Sequence, residues 1–332
     1  MIRFAAAALL YAGFVAYLYR PYFKGFGALW LQDLFVVNIC LASLGCFVLS
    51  RRWVSSFCGS LFAGALYGFG PFLLYLAKFH AAGLLAAAVP WLFCPAAFGP
   101  KGKWRALSWA LAVLPFLVIP LFFEVSTYSG FFPLSINTRP RVADLAGIVA
   151  PLVVAKRSII LVGFYHIPIA SLTMGFTMLL KARRFGIVII FAIGTALAFY
   201  DSFFNVSPIV WLAVPVLCCS IIIGAGMQGL ACAGWADRGW ILLPAAAMAA
   251  LAIVTLLLAT KYFQVFLGLG AKYARLLVEA AKIYILGAVA VTIIFFLARA
   301  KLRLRWLRWI ILCSATGLDL FWGARFIVDR IF

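Results

Sequence analysis

Gly163-Phe-Tyr165-His166-Ile-Pro168 is the stretch of this chain where side chains and backbone together could do chemistry. A phenol and an imidazole stand side by side in an otherwise apolar segment, two residues before a proline. An ionisable group inside an apolar span is a functional candidate, because hydrocarbon offers it no partner. Pro168 brings no backbone N–H, and its ring clashes with the carbonyl of Phe164, so a kink is expected there. Carbonyls freed at such breaks serve as ligands in transporters. The plainer reading is a neutral histidine hydrogen-bonded to a neighbouring helix, and the residues alone leave both open.

Two further sets of polar residues are candidates. Gln228 lies among Gly224, Gly226, Gly229 and Gly234, where its amide could bind a solute or tie two helices. Arg139 and Arg141 fall in the outer segment and Asp201 near the outer end of the seventh span, on the same face as Glu124, Asp144, Lys156 and Arg157. Arginines gathered there could clamp a phosphate or a carboxylate, while a solvated loop of balanced charge needs no function. The candidate substrate-binding residues are therefore Tyr165, His166, Asp201, Gln228, Arg139 and Arg141, with Asp201 and Gln228 as the expected partners of His166.

Other chemistries find little support. The eight cysteines include no CxxC pair and have no histidine beside them, so packing is the reading for them. The only histidines, His80 and His166, would sit at depths about 12 Å apart by helical rise, too uneven for the axial ligands of a haem. No Ser-His-Asp order, DxD pair or metal-spaced cluster occurs, and neither a cofactor nor a metal is expected.

What must position these residues is a set of membrane helices. The chain has 332 residues, is 67% hydrophobic and only 11% charged, yet carries a formal net charge of +20. Apolar stretches of helix-spanning length, about 20 residues, recur along it. Eleven spans are expected, at about 4–19, 31–50, 54–77, 82–98, 106–123, 158–180, 185–204, 208–233, 239–260, 277–298 and 309–325. The apolar run after Arg3 lacks a small-residue cleavage site and is read as the first of these spans. The fold class is thus an all-α polytopic bundle in one membrane domain. Its parts are residues 1–123, an outer segment 124–157, and 158–332. The stretch 144–155 is too short to span and contains Pro151, which suits an interfacial or re-entrant element.

Charge orients this bundle. Fifteen of the 28 basic residues fall in Arg3 and the alternate turns at Arg51-Arg52, 101–105, 181–184, Arg238 and 299–308, with one of the eight acids, Asp237. The N-terminus and those turns are expected in the cytoplasm, in a plasma or bacterial inner membrane, with anionic lipid against the basic clusters. Nucleic acid is excluded as a partner, since no soluble basic face exists to carry it. Lys272, Arg275, Glu279 and Lys282 share one helix face, which suits headgroups, and Arg275 can pair with Glu279.

Five helices on either side of the outer segment, with one left over, have the arithmetic of an inverted repeat. Glycines in the third helix (Gly59, Gly64, Gly68, Gly70) and the eighth correspond under that division. Close helix packing explains the same glycines without a repeat. The function these features favour is a transporter or permease for a small or amphiphilic solute. The alternatives are an enzyme acting on a lipid-linked substrate at the outer leaflet, or a non-catalytic subunit anchoring partner proteins. Ion coupling is not expected, because no acid is read as lying deep in a span.

Overall fold

In the computed structural model every regular element is helical among the described residues, which are 2–22, 30–76, 79–99, 104–125, 140, 147–148, 150–151, 163–182, 185–200, 206–234, 237–265, 270–298 and 304–331. The helices are α1 (Ile2–Tyr19), α2 (Trp30–Ser50), α3 (Phe57–Gly68), α4 (Pro71–Leu76), α5 (His80–Phe98), α6 (Trp104–Val125), α7 (Pro168–Lys181), α8 (Phe185–Phe199), α9 (Ala213–Cys232), α10 (Arg238–Val265), α11 (Gly270–Leu297) and α12 (Arg305–Ile331). Seven helical spans are long and apolar enough to cross a membrane, with α3 and α4 counted as one interrupted span, Phe57–Leu76. Shorter apolar helices cover Val36–Ser50, Arg105–Ile119 and Gly186–Phe199. By length and composition this is a multi-pass helical membrane protein.

Two elements form its centre. The α3/α4 span and α9 are buried along most of their length, whereas α1, α10 and α11 expose much of their apolar surface. Glycine makes that centre possible. A Cβ on Gly224 would stand 2.6 Å from the carbonyl oxygen of Gly59, and one on Gly59 would stand 2.7 Å from that of Gly224. The two backbones therefore cross with nothing between them. Gly59 and Gly224 meet at one level and Ser55 and Gln228 at the next, so α3 and α9 run antiparallel. On its other side α9 lies along α7, where Gly175 abuts the Ile222 carbonyl and Gly226 abuts that of Ser171. On α3, Gly64 and Gly68 admit the backbone of α2 at Ser43 and Ile39.

The helix ends are tied as well. Arg308, buried at the start of α12, donates to the carbonyls of Ala233 (2.6 Å) and Leu297 (2.9 Å). One guanidinium thus serves the C-terminal ends of α9 and α11, where the helix dipole favours a cation. This corrects the expectation that the basic run 299–308 faces lipid as a whole: Arg308 is turned inward. At the opposite end, Tyr22 donates to Asp329 at 2.6 Å, joining the end of α1 to the end of α12. Arg275 and Glu279 pair on the exposed face of α11, as the spacing predicts.

The outer segment touches the bundle at Ala150, which is buried with Ala259 of α10 and Leu277 of α11. Gly147 meets Gly163 backbone to backbone, just ahead of Tyr165. These contacts place part of the 144–155 stretch against the helices. The two halves pack differently among the described residues. α2 runs along both α3 and α5, while α8, its counterpart in a five-plus-five division, packs on α9 and the turn Pro208–Leu212.

Candidate functional site

The sequence places Pro168 inside a helix, as a kink. The structure places it at the first position of α7, where a missing N–H costs nothing because helix starts leave those donors unpaired. Residues 163–167 approach α7 as non-helical chain. A second interruption lies opposite. α3 ends at Gly68, and Pro71 opens α4 after Phe69 and Gly70. Gly70 is required there, since a Cβ would drive into the carbonyl of Leu66.

Tyr165 joins the two breaks. Its hydroxyl donates to the carbonyl oxygen of Phe69 at 2.7 Å, and its ring lies in a notch that only Gly323 of α12 leaves open. The phenol is fully buried. A carbonyl released at the end of α3 is thereby satisfied by the residue preceding α7, in keeping with the rule that backbone groups inside a bilayer must find partners.

His166 sits beside it, 1% exposed, with a partner that the sequence reading did not select. Its Nδ1 lies 3.1 Å from Oδ1 of Asp319, itself 2% exposed. The other carboxylate oxygen accepts the N–H of Ile167 at 2.6 Å. With the ring hydrogen on Nδ1 donated to Asp319, Nε2 is left as the acceptor of the ring. The ring also packs edge-on against Tyr284 of α11, with centroids 5.0 Å apart. Tyr284 and Asp319 are each the fifteenth residue of their helices, counting from Gly270 and Arg305, in helices of 28 and 27 residues. The site is at mid-depth.

Several buried polar atoms around this point have no hydrogen-bond partner among the described residues. They include Nε2 of His166 and Oγ1 of Thr316, one turn before Asp319. They also include Oγ of Ser43, which lies against Gly68, and Oδ1 of Asn38, earlier on α2. Native interiors rarely leave such groups unpaired, so Nε2 of His166 and Oγ1 of Thr316 mark this point as one open to polar contacts.

The other sequence candidates lie elsewhere. Gln228 is at the far end of α9, where its carbonyl oxygen accepts the N–H groups of Ser55 (2.9 Å) and Ser56 (3.1 Å) and its amide donates to Ser55 Oγ (2.8 Å). It closes the N-terminus of α3 and is not a neighbour of His166. Arg139, Arg141 and Asp201 lie outside the described residues. So does the side chain of His80.

Asp319 was legible in principle. It stands within the apolar run 309–325 and shares a face with Leu312, Thr316 and Gly323, all buried. Tyr284 and the Phe69 carbonyl had no comparable signal, because each matters through contacts formed only in the fold.

Nearer the end of the bundle that holds Gln228 and Arg308, a groove of about 400 Å³ opens between α7, α9 and the start of α10. Met174, Met178, Cys232 and Trp240 form much of its wall, with Lys181 and Asp237 beside them. Among the described residues, no three His, Cys, Asp or Glu side chains come together as metal ligands. No protein-family model, no curated protein and no solved structure matches this chain.

Proposed function

We propose that this protein is a transporter for a small or amphiphilic solute, with its binding site at mid-depth around Tyr165, His166 and Asp319. The observation that carries this reading is the meeting of two helix interruptions, Phe69–Gly70 and 163–167, at a buried histidine–carboxylate pair. Membrane proteins keep non-helical backbone and ionisable groups at that depth where solutes or ions pass. The groove along α7, of about 400 Å³, falls within the roughly 300–1,000 Å³ of small-molecule sites.

The topology that accompanies this reading has eleven crossings, a cytoplasmic N-terminus and an external C-terminus, in a plasma or bacterial inner membrane. The antiparallel crossing of α3 and α9 agrees with an inverted repeat, and the unlike packing of α2 and α8 does not, so the transport reading rests on the site alone. Anionic lipid remains the partner proposed for the outward-facing basic residues of the cytoplasmic turns.

The test is uptake by the purified protein in proteoliposomes bathed in a mixture of small metabolites and amphiphiles, with the lumen read by mass spectrometry. At least one solute should accumulate above empty vesicles, and Tyr165→Ala or His166→Ala, still folded and inserted, should abolish it. Lumenal contents indistinguishable from empty vesicles would overturn transport.

A further inference from the structure

We propose that His166 and Asp319 together bind and release one proton in each cycle, so that transport is coupled to a proton gradient. This rests on the transport reading above and departs from the sequence expectation, in which no acid was placed deep in a span. Among the described residues the buried charged or titratable polar groups other than tyrosine and cysteine are His166, Asp319 and Arg308. Arg308 is eleven residues before Asp319 on α12, about 16 Å away by helical rise, and its guanidinium is held by the ends of α9 and α11. Among the described residues, Asp319 therefore has no buried group that can balance its charge except His166.

The consequence is a site with two charge states. With neutral imidazole and ionised carboxylate the pair carries one net negative charge. With one more proton it is neutral. An isolated charge at this depth is costly. Two features hold the cost of the charged state down: the Ile167 N–H on Oδ2, and the N-terminus of α7, whose dipole favours an anion. Neither state is excluded by a fixed neighbour, as an exchanging site requires.

The receiving atom is Nε2 of His166. It is buried, has no hydrogen-bond partner among the described residues, and is the free lone pair of the ring when Nδ1–H is donated to Asp319. A proton arriving from water on one side forms the N–H bond at Nε2 and leaves an imidazolium paired to the carboxylate. Release to the other side breaks that bond and restores the starting state, so one proton is carried and none is lost. The titratable groups that face the pair are Tyr165 on the same segment, Tyr284 of α11 and, beyond Tyr165, Tyr19 of α1. Thr316 adds a hydroxyl from α12. The α3/α4 break contributes the Phe69 carbonyl, already held by Tyr165.

A useful accident makes this testable: the chain has two histidines, so His80→Gln leaves His166 as the single imidazole. In that protein, labelled with ¹⁵N-histidine and reconstituted in vesicles, the ring signals are followed with pH. In parallel, the rate at which an impermeant thiol reagent modifies Cys232 in the groove is measured against a Cys232→Ser background. Ring protonation and Cys232 labelling should change at the same pH. Asp319→Asn should move both midpoints together, and His166→Gln should make labelling independent of pH. A ring that titrates while labelling stays flat, a ring that does not titrate, or pH-dependent labelling that survives His166→Gln would each overturn the proposal. Solute uptake that persists unchanged in His166→Gln overturns proton coupling and leaves transport standing; absence of uptake in every protein strikes the transport reading instead.

Discussion

A tyrosine hydroxyl and a backbone carbonyl 2.7 Å apart hold together two pieces of chain separated by 96 residues. Tyr165→Phe keeps the ring in the notch beside Gly323 and deletes only that bond. A lost buried hydrogen bond of this kind costs about 1 kcal/mol. We expect a lower melting temperature in detergent with insertion unchanged, and no change would mean that the bond does not organise the breaks. Asp319 calls for a different expectation. Asp319→Leu strips partners from both His166 and the Ile167 N–H, and each orphaned buried group costs roughly 1–3 kcal/mol. Asp319→Asn keeps an acceptor for Ile167, so its melting temperature should lie between those of Asp319→Leu and the parent. Equal losses for the two variants would show that packing, not hydrogen bonding, is what Asp319 supplies.

At the level of helices, glycine divides into two kinds that the sequence does not distinguish. Gly224→Ala would place a methyl 2.6 Å from the Gly59 carbonyl oxygen and 2.9 Å from Ala63 Cβ, forcing α3 and α9 apart. Overpacking of that order costs typically about 1–3 kcal/mol. Gly13 of α1 has open space around it, so Gly13→Ala should gain up to about 1 kcal/mol from helix propensity. Thermal denaturation of the two proteins should shift in opposite directions, and parallel shifts would contradict the crossing described. Much of this level was legible beforehand. Seven of the expected spans follow from apolar length, and the glycines of the third and eighth helices pointed to a close approach, which proved to be with each other. The site was only half legible. Tyr165 and His166 stand out because polar residues are scarce in such segments, whereas the roles of Gln228 and Asp319 depend on which helices meet, and apolar spans packed in lipid carry little pairing information. Pro168 reads alike at a kink and at a first turn, so its place at the start of α7 had to come from the fold.

For the molecule as a whole, the ties at the two ends sort the loops into sides. Gln228 brings the end of α9 to the start of α3, and Arg308 brings the ends of α9 and α11 to the start of α12. Arg51-Arg52, Lys181, Arg238 and Arg305 therefore belong to helix ends at one pole, and the Tyr22–Asp329 contact belongs to the other. This grouping coincides with the division by charge, in which one set of turns holds fifteen basic residues and a single acid. Under the proposed orientation, which follows the positive-inside rule, the Arg308 pole is the cytoplasmic one. Gly234 is exposed at that pole with open space around it, so a cysteine there should be reactive without disturbing the fold. In a background free of native cysteine, an impermeant reagent added outside intact cells should modify Asn137→Cys and spare Gly102→Cys and Gly234→Cys until the membrane is opened. Modification of Gly102→Cys and Gly234→Cys with protection of Asn137→Cys would reverse the orientation. Opposite behaviour of Gly102→Cys and Gly234→Cys would be a sharper failure, because it would break the agreement between charge and helix packing on which the arrangement of the poles depends.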